Sequence, residues 1–286
     1  MPSPDALAAR RAEFRRLHES GCFVMPNPWD PGTARYLQHL GFPALATTSA
    51  GFAFGRGLPD TGSAVPVDAV LDHAAEIAGA TDLPVNVDFQ SGYAADPEGV
   101  AANVLRCAAT GVAGLSIEDL PDEPTGPEPL YPLDEAVARV RAARAALDRA
   151  PGSDGQVLLT ARTEAYLVGV DDPLAVALER LPAFAEAGAD VLYAPVVVAD
   201  PHDVRAIVAA VAPKPVNLLV PGDVGLSVDD VAALGVRRIS LGSGLNRVAW
   251  NAVDRAVRKL AEEGSFAGFD RGGISHHDLD QLFRGD

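Results

Sequence analysis

The sequence predicts an α/β fold, a (β/α)8 barrel of the TIM type followed by a C-terminal helical arm. Short apolar segments alternate with Ala-rich amphipathic segments eight times along the 286 residues. Glycine ends three of the amphipathic segments and apolar residues follow at once, in GVAGLSIE, AGADVLYA and LGVRRISLG. No glycine-rich dinucleotide fingerprint follows the first strand, which argues against the alternative of an open doubly wound sheet.

The predicted strands are short, apolar and bounded by Gly, Pro or polar residues. They are Phe23–Met25, Ala44–Thr47, Val85–Asp88, Gly114–Ile117, Val157–Ala161, Val191–Ala194, Val216–Leu219 and Arg238–Leu241. The predicted intervening helices are Pro31–Leu40, Val67–Ala78, Glu98–Ala109, Leu133–Ala150, Pro173–Glu186, Pro201–Val211 and Val228–Leu234. We assign residues 1–250 to the barrel and 251–286 to the arm, which contains an amphipathic helix, Gly264–Gly273 and a helix at His276–Phe283. The arm either is exchanged with a neighbouring subunit or closes the chain's own barrel.

The composition excludes several classes of partner. The formal net charge is −16, so the chain lacks the basic face that nucleic-acid binding requires. Cys22 and Cys107 show neither metal-ligand spacing nor the pattern of a disulfide framework. The N-terminal segment has no apolar signal core, and no apolar run is long enough to span a bilayer. We therefore expect a cytoplasmic protein without nucleic-acid or membrane partners.

The active site of such a barrel lies at the C-terminal ends of its strands. Asp88 and Glu118 end adjacent predicted strands, and Asp60 follows the strand before them. Carboxylates that converge at a barrel mouth repel one another unless a cation or a proton lies between them. Carboxylate oxygens suit Mg²⁺, which keeps several of its waters. The set predicts a metal site, although for any single residue a salt bridge or a helix cap is the alternative.

Other strand ends carry groups that could hold an anionic substrate. Arg162 ends an apolar strand and has the geometry to bind a carboxylate, with an ion pair to Glu118 or Glu164 as the alternative. Asn217 interrupts another apolar strand, as a second substrate contact or as a hydrogen-bonded core amide. The small residues Thr47–Gly51 offer free backbone amides to an oxyanion, or form a simple turn. The six histidines lack ligand spacing and are predicted to lie at the surface or at interfaces.

Several motifs, in this order and spacing, resemble the isocitrate lyase/phosphoenolpyruvate mutase superfamily from about Asn27 to Trp250. They are NPWDPGTARYLQHLGFPALATTSAG, LPD, PVNVDFQSGY, GVAGLSIED, TARTEAYL and PVNLLVPG. The resemblance implies a (β/α)8 barrel that forms a homo-oligomer, a dimer or a tetramer, with its C-terminal helix exchanged between subunits. It further implies Mg²⁺, with Mn²⁺ as a substitute, and a small carboxylate substrate that passes through an enolpyruvate-like oxyanion.

The resemblance also assigns roles to residues of this chain. Asp88 is implied to bind the metal directly, while Asp60 and Glu118 hold the metal's waters. The predicted metal group is Asp88, Gln90, Asp60 and Glu118. The predicted substrate-binding group is Trp29, Asp30, Thr48, Ser49, Gly51, Arg162 and Asn217. The predicted catalytic group is Arg162, Glu118, Asp60 and Tyr93, with Asp122 and Glu123 as further candidates for the proton carrier.

Two features depart from the family pattern. Gln90 stands where the family usually has a second acid, so it can orient a metal-bound water but contributes no charge. The loop Leu120–Leu130 contains no Cys, Lys, His or Asn. The C–C lyases of the family have a Lys-Cys-Gly-His run there, and the phosphonate mutases and hydrolases have a Lys and an Asn.

Three functions are compatible with these features. The first is a Mg²⁺-dependent lyase or decarboxylase that acts on a small 2-oxo or 2-hydroxy di- or tricarboxylate. The second is a phosphonate mutase or hydrolase that acts at a C–P bond. The third is a catalytically idle barrel that binds a metabolite.

Overall fold

The computed structural model describes residues 3–62, 64–123, 128–152, 156–195, 201–269 and 272–284. Its centre is one sheet of eight parallel strands in the order β1-β8-β7-β6-β5-β4-β3-β2. The strands are β1 (Phe23–Met25), β2 (Leu45–Ala46), β3 (Val85–Asp88), β4 (Gly114–Glu118), β5 (Leu158–Arg162), β6 (Val191–Tyr193), β7 (Val216–Leu219) and β8 (Arg238–Ser240). A backbone hydrogen bond of 3.0 Å from Ala46 N to Pro26 O connects the two ends of the sheet, so the strands form a nearly closed barrel. The predicted (β/α)8 fold is confirmed.

Helices surround the strands and bury the main apolar core between the two layers. They are α1 (Pro4–Leu17), α2 (Pro31–His39), α3 (Ser49–Gly55), α4 (Val67–Ala80), α5 (Pro97–Ala108), α6 (Leu133–Arg149), α7 (Pro173–Glu186), α8 (Pro201–Val211), α9 (Val228–Ala232), α10 (Gly244–Glu263) and α11 (His276–Arg284). All eight predicted strands and all seven predicted barrel helices are present, with ends displaced by at most two residues. Helices α1 and α3 were not predicted from the sequence.

Helix α1 closes the end of the barrel at which the strands begin. Its Phe14 is fully buried and packs in one cluster with Phe23 and Leu158, near the starts of β1 and β5. Its Arg11 is also fully buried, and the guanidinium donates to the carbonyl oxygens of Val112 and Ala108 at 3.0 and 2.7 Å. The strand ends opposite α1 are therefore the open end, where the site has to lie.

The interior of the barrel is more polar than the branched apolar layers that usually fill such barrels. Its buried polar residues are Asn86, Ser116, Thr160, Asn217, Arg238 and Ser240. Arg238 donates from Nε to Asn217 Oδ1 at 2.7 Å and from Nη2 to Thr160 Oγ1 at 3.0 Å. These hydrogen bonds cross the interior from β8 to β7 and β5, so a polar network lies beneath the mouth.

Two histidines contradict the prediction that all six lie at the surface or at interfaces. His18, at the end of α1, is buried, and its Nδ1 lies 2.7 Å from the Phe14 carbonyl oxygen. Burial and the charge of Arg238 lower the pKa of His18 to about 3. His73, on α4, is buried against the ring of Phe52 with 3.9 Å between centroids. Both rings lie on the inward face of a helix, which their positions in the sequence did not reveal.

The C-terminal segment leaves apolar side chains exposed. Helix α10 runs across position 250, so the division into barrel and arm stays a prediction. Its Trp250, Val253 and Val257 are about half exposed. Helix α11 packs on α2 of the same chain, where Arg35 Nη2 donates to the Phe283 carbonyl oxygen at 3.0 Å. No helix within the described ranges is long and apolar enough to cross a membrane.

Candidate active site

The mouth of the barrel contains a cavity of about 340 Å³ that Asp60 and Glu118 line, while Asp88 lines two smaller cavities. Its lining includes Ser49, Asp60, Gln90, Glu118, Arg162 and Glu164. A larger cavity of about 650 Å³ lies beside Tyr131, Asp172 and Arg180. That cavity is lined by none of the predicted site residues, so we place the site in the smaller one, where the charged groups converge.

Asp88 is held at the end of β3 by the neighbouring strand. Its backbone amide donates to Thr47 Oγ1 at 3.0 Å, and its carboxylate Oδ2 accepts from the Ser49 amide at 3.1 Å. The Ser49 amide, predicted to bind a substrate oxyanion, is therefore used by Asp88 in this structure. Gln90, two residues later, has a left-handed φ of 42°, a conformation that costs a non-glycine residue about 1–2 kcal/mol. Strained backbone of this kind is concentrated at functional sites.

Arg162 lies among three carboxylates at the end of β5. Its Nη1 is 3.7 Å from Asp88 Oδ1 and 3.5 Å from Glu118 Oε2, and its Nε contacts Glu164 Oε1. The guanidinium carbon also lies 4.9 Å from the centre of the Tyr193 ring. The ion pairs that the sequence offered as an alternative role for Arg162 are therefore present. They leave open a second role in substrate binding, because Arg162 also lines the cavity.

The site has more negative than positive charge. Asp60, Asp88, Glu118 and Glu164 face one guanidinium, that of Arg162. Burial, together with the charge of Asp88, raises the pKa of Asp60 to about 6. Burial also raises the pKa of Glu118 well above its usual range, and the charge of Glu164 adds to the effect while Arg162 opposes it. Protons or a cation are needed to balance such a group.

The donor set fits a divalent cation that keeps most of its water. Within the described ranges, no three Asp, Glu, His or Cys side chains converge closely enough to bind an ion by themselves. Asp88 could supply one direct oxygen, while Asp60, Glu118 and the Gln90 amide could hold waters. Gln90 Nε2 donates to Asp60 Oδ1 at 3.2 Å, so the two side chains are already held next to each other. One direct carboxylate with a shell of waters is a common way for proteins to bind Mg²⁺.

Tyr93 lies beside the carboxylates with its phenol protonated. Burial raises its pKa, and the charges of Asp88, Glu118 and Asp122 add to the effect. The phenol can therefore donate a hydrogen bond but gives up its proton only at very high pH. Asp122 belongs to the loop after β4 and accepts a hydrogen bond of 2.6 Å from Ser91 Oγ. Glu123, the other candidate proton carrier, is exposed.

Four of the predicted substrate-binding residues support α2 and α3 rather than the cavity, among them Thr48, which caps α3 by accepting from the Gly51 amide at 3.2 Å. Asp30 caps α2, where its carboxylate accepts from the Thr33 amide at 2.7 Å. Trp29 packs against Gly51, since a Cβ added to Gly51 would lie 3.2 Å from Trp29 Cβ and 2.6 Å from Thr48 Cγ2. Trp29, Asp30 and Gly51 do not line the cavity. Their roles in substrate binding stay predictions.

Asn217 has the hydrogen bonds of a core amide, which is one of the two roles that the sequence left open. It is buried, lies in register with Arg238 on β8 and Tyr193 on β6, and lines a small cavity that Asp88 and Arg162 also line. Its Oδ1 accepts from Arg238 Nε, and its Nδ2 donates to Ser240 Oγ at 3.0 Å. It therefore has the contacts of a hydrogen-bonded core amide, and its predicted contact with a substrate carboxylate stays a prediction.

Glu164 and His73 lie at the site but were not among the predicted site residues. Glu164 is buried, pairs with Arg162 and lines the cavity. The available signal was TARTEAYL, in which an acid follows the strand-end arginine by two residues. His73 lines a small cavity beneath Ser49 and Asp60, and its buried Nε2 has no hydrogen-bond partner among the described residues.

The buried His73 predicts how the free energy of unfolding depends on pH in the acid range. Burial and the charge of Arg56 lower its pKa from 6.5 to about 4. Because the unfolded chain binds a proton below pH 6.5 while the folded chain does not, His73 lowers stability as the pH falls from 6.5 to 4. We expect His73→Phe to remove up to about 3 kcal/mol of this loss.

Urea unfolding at a series of pH values measures this effect. His277→Phe, on exposed α11, is the matched control and should keep the wild-type slope. His18 remains in the variant, so the slope should become shallower without vanishing. If the unfolding free energy of His73→Phe falls between pH 6.5 and 4 as steeply as that of the wild type, the burial argument is wrong.

Comparison with known proteins identifies the family. A family model described as phosphoenolpyruvate phosphomutase matches residues 14–261. A crystal structure from Burkholderia cenocepacia J2315 superposes with a TM-score of 0.90 at 41% identity, over 98% of each chain. The protein of Corynebacterium glutamicum named probable 2-methylisocitrate lyase 2 is 32% identical over 84% of this chain and 76% of its own. The oxaloacetate decarboxylase of Paraburkholderia xenovorans is 32% identical over 65% of this chain and 60% of its own.

These relatives include lyases, and the matching family model is that of a mutase. The match covers the barrel and every strand end that carries a predicted site residue. The resemblance found in the sequence motifs is confirmed, and this chain belongs to the isocitrate lyase/phosphoenolpyruvate mutase superfamily.

Proposed function

We propose that this chain is a Mg²⁺-dependent lyase or decarboxylase that acts on a small 2-oxo or 2-hydroxy di- or tricarboxylate through an enolpyruvate-like intermediate. The observation that carries the proposal is the placement of Asp88 and Arg162 side by side at the strand ends, next to a cavity of about 340 Å³. That volume suits a small metabolite. A lyase and a decarboxylase among the relatives also support it.

The residues of the chain have separate tasks in this proposal. Asp88 would hold Mg²⁺, with Mn²⁺ as a substitute, and Asp60, Glu118 and Gln90 would orient the ion's waters. When bound, the ion would act as a Lewis acid on the substrate's 2-oxygen. Arg162 would bind the substrate carboxylate, because its planar fork matches the two oxygens of that group.

The loop after β4 would cover the bound substrate. A Cβ added to Gly62 would overlap the Asp122 carboxylate, so the loop approaches the turn at residue 62 as closely as a glycine allows. Leu120 and Pro121 line the cavity on the loop side and would help to exclude water. Asp122, held by Ser91, is the described loop residue best placed to move a proton through a water molecule.

The test is turnover of oxaloacetate and of substituted malates, followed by pyruvate formation in the presence of Mg²⁺ and again with excess EDTA. We expect at least one of these substrates to release pyruvate in a Mg²⁺-dependent reaction. Thermal stabilisation by Mg²⁺ and oxalate without any turnover would instead support the idle metabolite-binding barrel.

Phosphonate chemistry is the weaker alternative. It requires a cation to hold the phosphoryl group, and the loop Leu120–Leu130 has no Lys, Arg or His. Arg56, which follows α3, stacks on Phe52 with its guanidinium carbon 4.3 Å from the ring centre. No phosphate is expected to appear when the protein is supplied with phosphonopyruvate.

We also propose that the chain forms a homo-oligomer, a dimer or a tetramer, through α10. Exposed apolar residues on α10 include Trp250, which lines a groove of about 380 Å³ together with Phe54 and Leu58. Apolar surface of this kind is typical of a protein–protein contact. The exchange of the C-terminal helix between subunits stays a prediction, because α11 packs on α2 of its own chain.

Trp250→Glu tests this interface. A buried glutamate without a partner is costly, so the variant should dissociate at concentrations at which the wild type is associated. Sedimentation velocity measures the change in mass. Leu105→Glu, which places the same charge at another exposed apolar position on α5, should leave the mass unchanged. A monomeric wild type would refute the proposal directly.

A further inference from the structure

The barrel interior contains a buried positive charge that no carboxylate of the described residues balances. Arg238 is 1% exposed and lies at the start of β8. Its acceptors are all neutral: Asn217 Oδ1, Thr160 Oγ1 and the His18 ring nitrogen Nε2, the last at 3.4 Å from Nη1. Burial lowers the pKa of Arg238 to about 9, opposed only by Tyr193. An arginine nonetheless stays protonated at neutral pH.

This isolation distinguishes Arg238 from the other guanidinium of the interior. Arg162 contacts Asp88, Glu118 and Glu164 at the mouth. Arg238 forms no ion pair with any described residue. A buried charge is normally paired, because removing it from water without a counter-charge costs several kcal/mol.

The guanidinium also has spare hydrogen-bond donors. It carries five N–H groups. The described residues accept from three of them, one at each nitrogen. The remaining two, on the terminal nitrogens, have no acceptor among the described residues. They can therefore bind a group that the chain itself does not provide.

A small cavity lies against Arg238. Its volume is about 40 Å³, and its lining runs from Asp88 and Arg162 at the mouth to Arg238 at the floor. The Ser116 and Ser240 side chains form part of its wall. This volume exceeds the roughly 10–15 Å³ that one water requires, yet it is too small for a phosphate or a whole metabolite.

We propose that the floor of the barrel interior, at Arg238, is a binding site for a small monovalent inorganic anion of the size of a halide. One such anion neutralises the charge of Arg238 and accepts hydrogen bonds from its two free N–H groups. The site lies at the opposite end of this cavity from Asp88 and Arg162, below the proposed metal and substrate site at the strand ends. Its occupancy does not depend on the reaction that the enzyme catalyses.

The first test is crystallographic and uses the wild-type protein. Crystals equilibrated with sodium bromide are measured at the bromine absorption edge. The proposal predicts an anomalous peak inside the barrel within hydrogen-bonding distance of the Arg238 guanidinium. Peaks confined to the protein surface, with only water against Arg238, would overturn it.

The second test measures thermal unfolding at constant ionic strength, with bromide or chloride replacing gluconate. A tenfold excess of halide over its Kd should raise the wild-type midpoint by about 2–4 °C in a saturable manner.

Asn217→Asp places a carboxylate where Oδ1 lies 2.7 Å from Arg238 Nε, so this variant should lose the halide response. Asn251→Asp, the same change on exposed α10, should keep it. A halide response that survives in Asn217→Asp would refute the site, and the bromide experiment decides the matter if that variant does not fold.

Discussion

Replacement of Asp88 by Asn is expected to abolish both Mg²⁺ binding and turnover while leaving the fold intact. The amide is the same size as the carboxylate and can still accept from the Ser49 amide at the end of β3. It carries no charge, so the proposed ion loses its direct anionic ligand. Since the proposed chemistry relies on that ion to stabilise charge on the substrate's 2-oxygen, we expect kcat/KM to fall at least about a hundredfold.

Isothermal titration with Mg²⁺, with and without oxalate, measures the binding, and pyruvate release measures the turnover. Asp82→Asn is the matched control, since the Asp82 side chain is 89% exposed and far from the mouth. The fold should be retained because the change removes a negative charge that repels Asp60. A wild-type binding isotherm that persists in Asp88→Asn would show that the ion is held elsewhere.

The order of the strands could be predicted because it depends on a repeated pattern rather than on single residues. Eight apolar segments that alternate with helices leave few topologies, and the strand ends then have to meet at one face. That is why the sequence alone was enough to place Asp88, Glu118 and Arg162 together. The two unpredicted helices lack such a pattern. Helix α3 has only seven residues, two of them glycine, and α1 buries Arg11, a residue type that is usually exposed.

The orientation of individual polar side chains could not be predicted in the same way. His73 and Asn217 both lie in regular elements, but their contacts are made by residues distant in the sequence, Phe52 and Arg238. Arg238 was predicted only as the first residue of a strand, although it forms the centre of the polar interior. The sequence determines which face a residue is on, whereas the partner on that face depends on packing between elements.

Replacement of Arg162 by Met is expected to destabilise the fold more than any other single change at the mouth. It would leave the buried carboxylate of Glu164 and the partly buried carboxylate of Glu118 without their cation. Breaking a buried ion pair from one side typically costs about 3–5 kcal/mol. The structural cost and the loss of substrate binding would then be mixed in any measurement of activity.

The double variant Arg162→Met with Glu164→Gln separates the two effects. The amide is neutral and nearly isosteric with the acid, so the double variant should recover much of the lost unfolding free energy measured in urea. Arg205→Met, at an exposed position on α8, controls for the loss of an arginine as such. If Arg162 also binds the substrate carboxylate, as we propose, turnover should stay low in the double variant even where stability returns. Recovery of turnover together with stability would instead mean that Arg162 only balances the buried acids and that another group binds the substrate.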